Sequence, residues 1–149
     1  MSSTSTTVKF VTTDLIDLPQ IERWITLDPT HANQFEPSYW LTGNGALIAF
    51  CLQDDEGPTM YVRFDKEDNL LRLRTQFAPP DEVSKERTAK TILDAVPRFS
   101  VIAKEAYKAK GIIFETKSRS LASFMNRALK FVKVDNGDND DYVLKFEEN

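Results

Sequence analysis

The spacing of apolar residues divides the chain into segments of period two and segments of period near 3.6, the marks of strands and helices. Residues 8–11 read as a short strand. Asp17-Leu18-Pro19-Gln20 then combines a capping residue, an early proline and a glutamine three positions on, which predicts a helix start with a capping box. Leu18, Ile21, Trp24 and Ile25 keep helical spacing, and Asp28-Pro29 ends the run because a residue before proline is pushed out of the helical region. Residues 30–45 read as loop with room for one short helix, and they hold His31, Asn33, Phe35, Tyr39 and Trp40.

Three strand candidates follow, residues 46–52, 59–64 and 70–77, separated by short turn-rich gaps that predict an antiparallel meander. In the third, Leu71, Leu73, Thr75 and Phe77 share one face and Arg72, Arg74 and Gln76 the other, so one face is read as core. Ser84 caps a long helix carrying Ala89, Ile92, Leu93, Val96, Phe99, Ile102, Ala103 and Ala106 at helical spacing; Pro97 predicts a kink and Gly111 a stop. Residues 111–116 form a strand after that helical crossover, which predicts parallel pairing with the strand before it. Ser118 or Ser120 caps a last helix with Leu121, Phe124, Met125, Ala128 and Leu129 inward, and residues 131–134 and 142–146 make a closing hairpin. The sum is an α/β chain with a mixed sheet, an antiparallel meander plus one parallel βαβ pair, and about four helices.

At 149 residues, 41% of them hydrophobic, the chain reads as one globular domain over residues 8–147 behind a disordered polar tail, residues 1–7. A net charge of -4 supplies no positive field for a polyphosphate backbone, so nucleic acid is not expected as a partner. Met1 to Thr7 lack the basic start and apolar stretch of a signal peptide, no later run approaches membrane-spanning length, and Cys51 is the single cysteine; these point to a cytoplasmic protein without a membrane partner. Cys51 itself sits in an apolar run and reads as core.

The order of elements resembles that of the GNAT superfamily of N-acetyltransferases over nearly the whole chain. Phe77-Ala78-Pro79 stands where the family's Val-x-Pro-like turn ends the strand before the central helix. Ser84-Lys85-Glu86-Arg87-Thr88-Ala89 stands where its glycine-rich phosphate loop opens that helix, and only the final small residue is kept. On the last helix Arg119, Ala122, Asn126 and Phe131 fall at the positions of the family's Asn, Ala, Tyr and Phe, and an amide at 126 cannot act as the general acid that the tyrosine supplies. The resemblance implies acetyl-CoA, or another acyl-CoA, bound by Gln76, Phe77, Ala78, Ser84, Lys85, Arg87, Thr88, Ala89 and Asn126, with acyl transfer to an amine of a small molecule or peptide. Arg87 replaces a glycine, so it either meets the diphosphate with Lys85 or blocks it. A catalytically inactive GNAT-fold binding module is the second reading.

For proton transfer the candidates are His31, the only histidine, and Glu115 near the end of the predicted parallel strand; a surface loop and a solvated strand end are the plain alternatives. The segment 135–141 is acidic, but an EF-hand register centred on Gly137 puts Val132, Val134 and Val143 where oxygen ligands are needed. It reads as a solvated hairpin turn at Asn136-Gly137, and no metal is expected. The basic residues of the long helix lack interleaved aromatics, which leaves phosphate contact or plain solvation.

Overall fold

The computed structural model of the chain describes residues 7–28, 36–43, 45–135, 137 and 139–147. His31, Asn136 and the first six residues of the expected tail lie outside the described residues. Seven strands, β1 (Lys9–Thr12), β2 (Ile48–Asp54), β3 (Gly57–Glu67), β4 (Leu70–Phe77), β5 (Gly111–Glu115), β6 (Val132–Lys133) and β7 (Asp141–Lys145), lie in the order β1-β2-β3-β4-β5-β7-β6. The described residues hold three α-helices, α1 (Leu18–Leu27), α2 (Lys85–Ala106) and α3 (Arg119–Leu129), and two 3-10 turns, Leu15–Asp17 and Pro37–Trp40. No helix among them is long and apolar enough to cross a membrane.

The predicted meander is present. Only two residues separate β2 from β3 and β3 from β4, which forces hairpins, and Asp68 takes the left-handed conformation (φ 55°) that the second turn needs. The predicted parallel pair is also present: Leu70, Leu71 and Arg72 of β4 stand opposite Gly111, Ile112 and Ile113 of β5, and β4 runs on to Phe77.

The chain divides into two compact units, residues 1–63 with 75–94, and residues 64–74 with 95–149. In the first, Ile21, Trp24 and Ile25 of α1 pack with Trp40, Cys51, Tyr61, Ala78 and Val83 in one buried cluster. Burial pushes the Cys51 thiol up to about 11, so it stays protonated core, as expected. The capping box sits one turn earlier than predicted. Asp14 accepts from Leu15 N at 2.7 Å while Asp17 accepts from Asp14 N at 2.9 Å, so the box closes the 3-10 turn. Asp17 makes no side-chain cap on α1; its other oxygen accepts the Tyr61 hydroxyl at 3.0 Å, and Gln20 donates to the same hydroxyl at 2.8 Å. A buried phenol needs partners more than a solvated helix end does, and it takes both side chains that the sequence assigns to capping.

In the second unit Phe64 meets Phe99 edge to face, and Phe114 does the same with Phe131. Arg72 bonds Asp141 at 2.7 Å and Glu67 at 2.7 and 3.0 Å, with Asp141 wholly buried. The Arg72 face of β4 is therefore not a solvent face, and the reading of one core face is corrected: both rows of β4 carry buried residues, the polar one held by carboxylates. Lys108 (φ 55°), not Gly111, is the left-handed residue that stops α2, with Ala109 N donating to Ala103 O at 2.9 Å. Pro97 lies inside α2, which runs unbroken through it. Ser118 caps α3, accepting from Leu121 N at 3.2 Å. Leu93 and Ala106, at helical spacing on α2, and Ala128, expected inward on α3, are exposed, because the helical stripes actually buried are narrower than the apolar spacing. The closing hairpin pairs Val132 with Val143 and Lys133 with Tyr142, and its loop is longer than a two-residue turn.

Candidate active site

In the first unit the end of β4, the loop after it and the start of α2 form a continuous stretch of chain, residues 75–89. Pro79 begins a tight turn, its carbonyl accepting from Glu82 N at 2.9 Å and Val83 N at 3.1 Å, and Val83 is buried as the anchor of the loop. Ser84 then caps α2: its Oγ accepts from Arg87 N at 3.1 Å and its carbonyl from Thr88 N at 3.0 Å. The amides of Lys85 and Glu86 precede these, and the first N–H groups of a helix have no partner within it. They carry the positive end of the helix dipole, and Lys85 is exposed beside them.

The backbone at the strand end is differentiated by its pairing. Ala78 N donates to Thr59 O of β3 at 3.1 Å, so that amide is engaged. Backbone groups alternate sides along a strand, and the N–H and C=O of Phe77 therefore point away from β3. Gln76 is fully buried, and its Nε2 donates to Asp28 Oδ2 at 3.0 Å and to Phe77 O at 3.3 Å. Both amide hydrogens are thus used. Asp28, read from the sequence only as the residue that ends α1, is extended (φ -104°, ψ 106°) and half-buried.

Arg87 is held by acids of the β2–β3 turn. Its Nε and Nη2 donate to Asp54 at 2.8 and 2.7 Å, and Nε lies 3.5 Å from Glu56. The guanidinium lowers the Asp54 carboxyl below its usual range. A depressed carboxyl contributes stability above its ordinary pKa and loses it as pH falls through the lowered value. Arg87→Ala is expected to melt about 3–6 °C below wild type at neutral pH. The gap should close under acid conditions in a pH series of thermal melts; a gap that persists there would assign the loss to packing instead. Arg23 of α1 likewise forms a two-pronged pair with Glu82, which ties the loop to the helix and holds the Glu82 carboxyl below its usual range.

The sites expected from the sequence divide between the units. Gln76, Phe77, Ala78, Ser84, Lys85, Arg87, Thr88 and Ala89 lie together in the first; Glu115 and Asn126 belong to the second. Glu115 is exposed at the end of β5, and Asn126 donates from its side chain to Phe131 O at 2.7 Å, closing the end of α3 beside the left-handed Lys130. Asp28, Asp54 and Glu82 were not singled out by the sequence. One signal pointed to Asp28 alone: a central strand with a polar row needs polar partners on whatever element covers that row.

No family model matches the sequence, and no curated protein matches it. Solved structures do match in fold. An acetyltransferase from Thermus thermophilus superposes with a TM-score of 0.66 at 16% identity, over 94% of this chain and 97% of that one. An N-acetyltransferase of Campylobacter jejuni in complex with acetyl coenzyme A gives 0.62 at 14%, over 94% and 99%. An aminoglycoside acetyltransferase in complex with coenzyme A and kanamycin gives 0.63 at 13%, over 95% of each chain. At these identities the likeness is one of fold.

Proposed function

The chain has the fold of the GNAT-type acetyltransferases, and on that premise we propose that it is an acyl-CoA-dependent N-acetyltransferase acting on an amine. The observation that carries the reading is the outward-turned backbone of Phe77, followed in the same unit by the unpartnered first amides of α2. When bound, the donor supplies an activated thioester: a C–N bond forms as the C–S bond breaks, and one proton is released to solvent overall.

Two parts of the site fit such a donor to different degrees. The Phe77 N–H is a donor for the acyl oxygen, where negative charge develops, and the Phe77 carbonyl, which accepts from Gln76 Nε2 at 3.3 Å, keeps its second lone pair for an amide of the donor's arm. This narrows the span expected from the sequence, Gln76 to Ala78, to one residue. Lys85 N, Glu86 N and the Lys85 ammonium suit a diphosphate at the helix start. The Arg87 guanidinium is engaged by Asp54, while Asp81, Glu82 and Glu86 make the stretch around the helix start more acidic than a phosphate site prefers. Asn126 has no titratable proton, so the leaving thiolate takes its proton from water.

Release of free thiol from acetyl-CoA tests the reading, with putrescine, tyramine, kanamycin and hydroxylamine as acceptors. Acceptor-dependent release by the protein supports it. Binding of acetyl-CoA without any transfer would instead leave the inactive GNAT-fold module.

A further inference from the structure

Gln76 and Asp28 couple the end of α1 to the strand end. One nitrogen, Gln76 Nε2, bonds both Asp28 Oδ2 and Phe77 O, so the carboxylate oxygen lies within the sum of those two hydrogen bonds from the Phe77 backbone. Gln76 is wholly buried, and turning it away would leave its amide donor in the core. The carboxylate is thereby fixed in one place. Asp28 is half-buried and keeps part of its surface open to solvent, at an extended residue just past the last turn of α1.

The charge of the two units differs in the same sense. The first carries twelve Asp and Glu against six Lys and Arg, a net of -6, and the second eleven against thirteen, a net of +2. Asp28 therefore sits in the half of the chain whose field draws in cations.

Resting on the acyl-transfer reading, we propose that Asp28 is the anchor for the ammonium group of a cationic primary amine acceptor, and that Gln76 is its positioning residue. A carboxylate beside Phe77 holds the nitrogen next to the thioester carbonyl that Phe77 orients. The ammonium loses one proton to water, and the freed lone pair then adds to the carbonyl carbon from a position already adjacent to it. The Gln76 bond keeps the carboxylate from rotating out of reach. Neutral nucleophiles gain nothing from the anchor, so the selectivity of the site is for charge.

The test compares acetyl transfer to putrescine and tyramine with transfer to hydroxylamine, which is uncharged at neutral pH, alongside calorimetric titration of acetyl-CoA. Asp28→Asn is expected to raise KM for the cationic amines about tenfold or more, and to lower the preference for them over hydroxylamine by the same factor. Gln76→Leu should move that preference in the same direction by a smaller factor, and Asp28→Glu should restore most of it, while acetyl-CoA binds both Asp28 variants as it binds wild type. If Asp28→Asn fails to fold, Gln76→Leu and Asp28→Glu decide. The inference is overturned by an unchanged preference, by equal losses for charged and neutral acceptors, or by a wild-type protein that binds acetyl-CoA and acetylates hydroxylamine but no cationic amine. A wild type that does not bind acetyl-CoA defeats the underlying reading instead.

Discussion

Gly111→Ala is expected to destabilise the fold by about 3 kcal/mol or more, lowering the melting temperature by about 6–12 °C. A Cβ at this position would stand 2.4 Å from the backbone oxygen of Leu144, and 3.2 Å from both Leu70 Cδ2 and Lys145 Cα. The leucine side chain can turn aside, but a strand backbone cannot. Gly111 opposes Leu70 on one side and Lys145 on the other, so retreat from Leu144 loosens β5 in its pairing with β7. Thermal or urea unfolding measures the effect, and a melting temperature within about 2 °C of wild type would show that the strands have slack at this crossing.

Phe77→Pro is expected to reduce acetyl transfer to hydroxylamine about a hundredfold or more relative to Phe77→Ala. The two variants both remove the ring, and only proline removes the N–H. That N–H points away from β3 and takes no part in the β3–β4 pairing, while the adjacent Ala78 amide keeps its bond to Thr59 O. The proline falls at the last residue of β4, so the ladder before it is left in place. Equal rates for the two variants, with both folded by circular dichroism, would remove Phe77 from the role of oxyanion donor.

How much of this was legible in the sequence depends on whether an element is fixed by local pattern or by what covers it. The β4–α2–β5 crossover could be read directly, because a strand, a 22-residue helix and a strand without a hairpin turn leave parallel pairing as the natural outcome. Ser118 was legible as a cap for the same local reason. Gly111 was legible as important and was given the wrong reason: after a helix a glycine suggests a stop, yet Lys108 makes the left-handed turn and Gly111 is needed for close strand approach. Asp17 and Gln20 have capping spacing, but a capping box is worth about 1 kcal/mol, less than leaving the buried Tyr61 hydroxyl without partners. Arg72 and Gln76 alternate with leucines as a solvent-facing row would, and nothing local says that the row is covered. The site was affected most by this. Gln76 was placed by the resemblance among donor-binding residues, whereas its side chain points at Asp28, a partner forty-eight positions away. Arg87 was read against the phosphate loop alone, and its partner Asp54 belongs to a hairpin that only the tertiary fold brings to it.

Titration of acetyl-CoA into the wild-type protein by isothermal calorimetry separates a donor-binding acetyltransferase from an inactive module without a donor site. Saturable binding of one donor per chain is expected, with a dissociation constant between about 1 μM and 1 mM. Lys85→Ala is expected to weaken the binding about tenfold or more, because one charge-assisted phosphate contact is worth roughly 1.5–3 kcal/mol. No saturable heat up to about 1 mM donor, from a protein that melts cooperatively, would contradict the acyl-transfer reading: the fold would then be that of an acetyltransferase without the donor site.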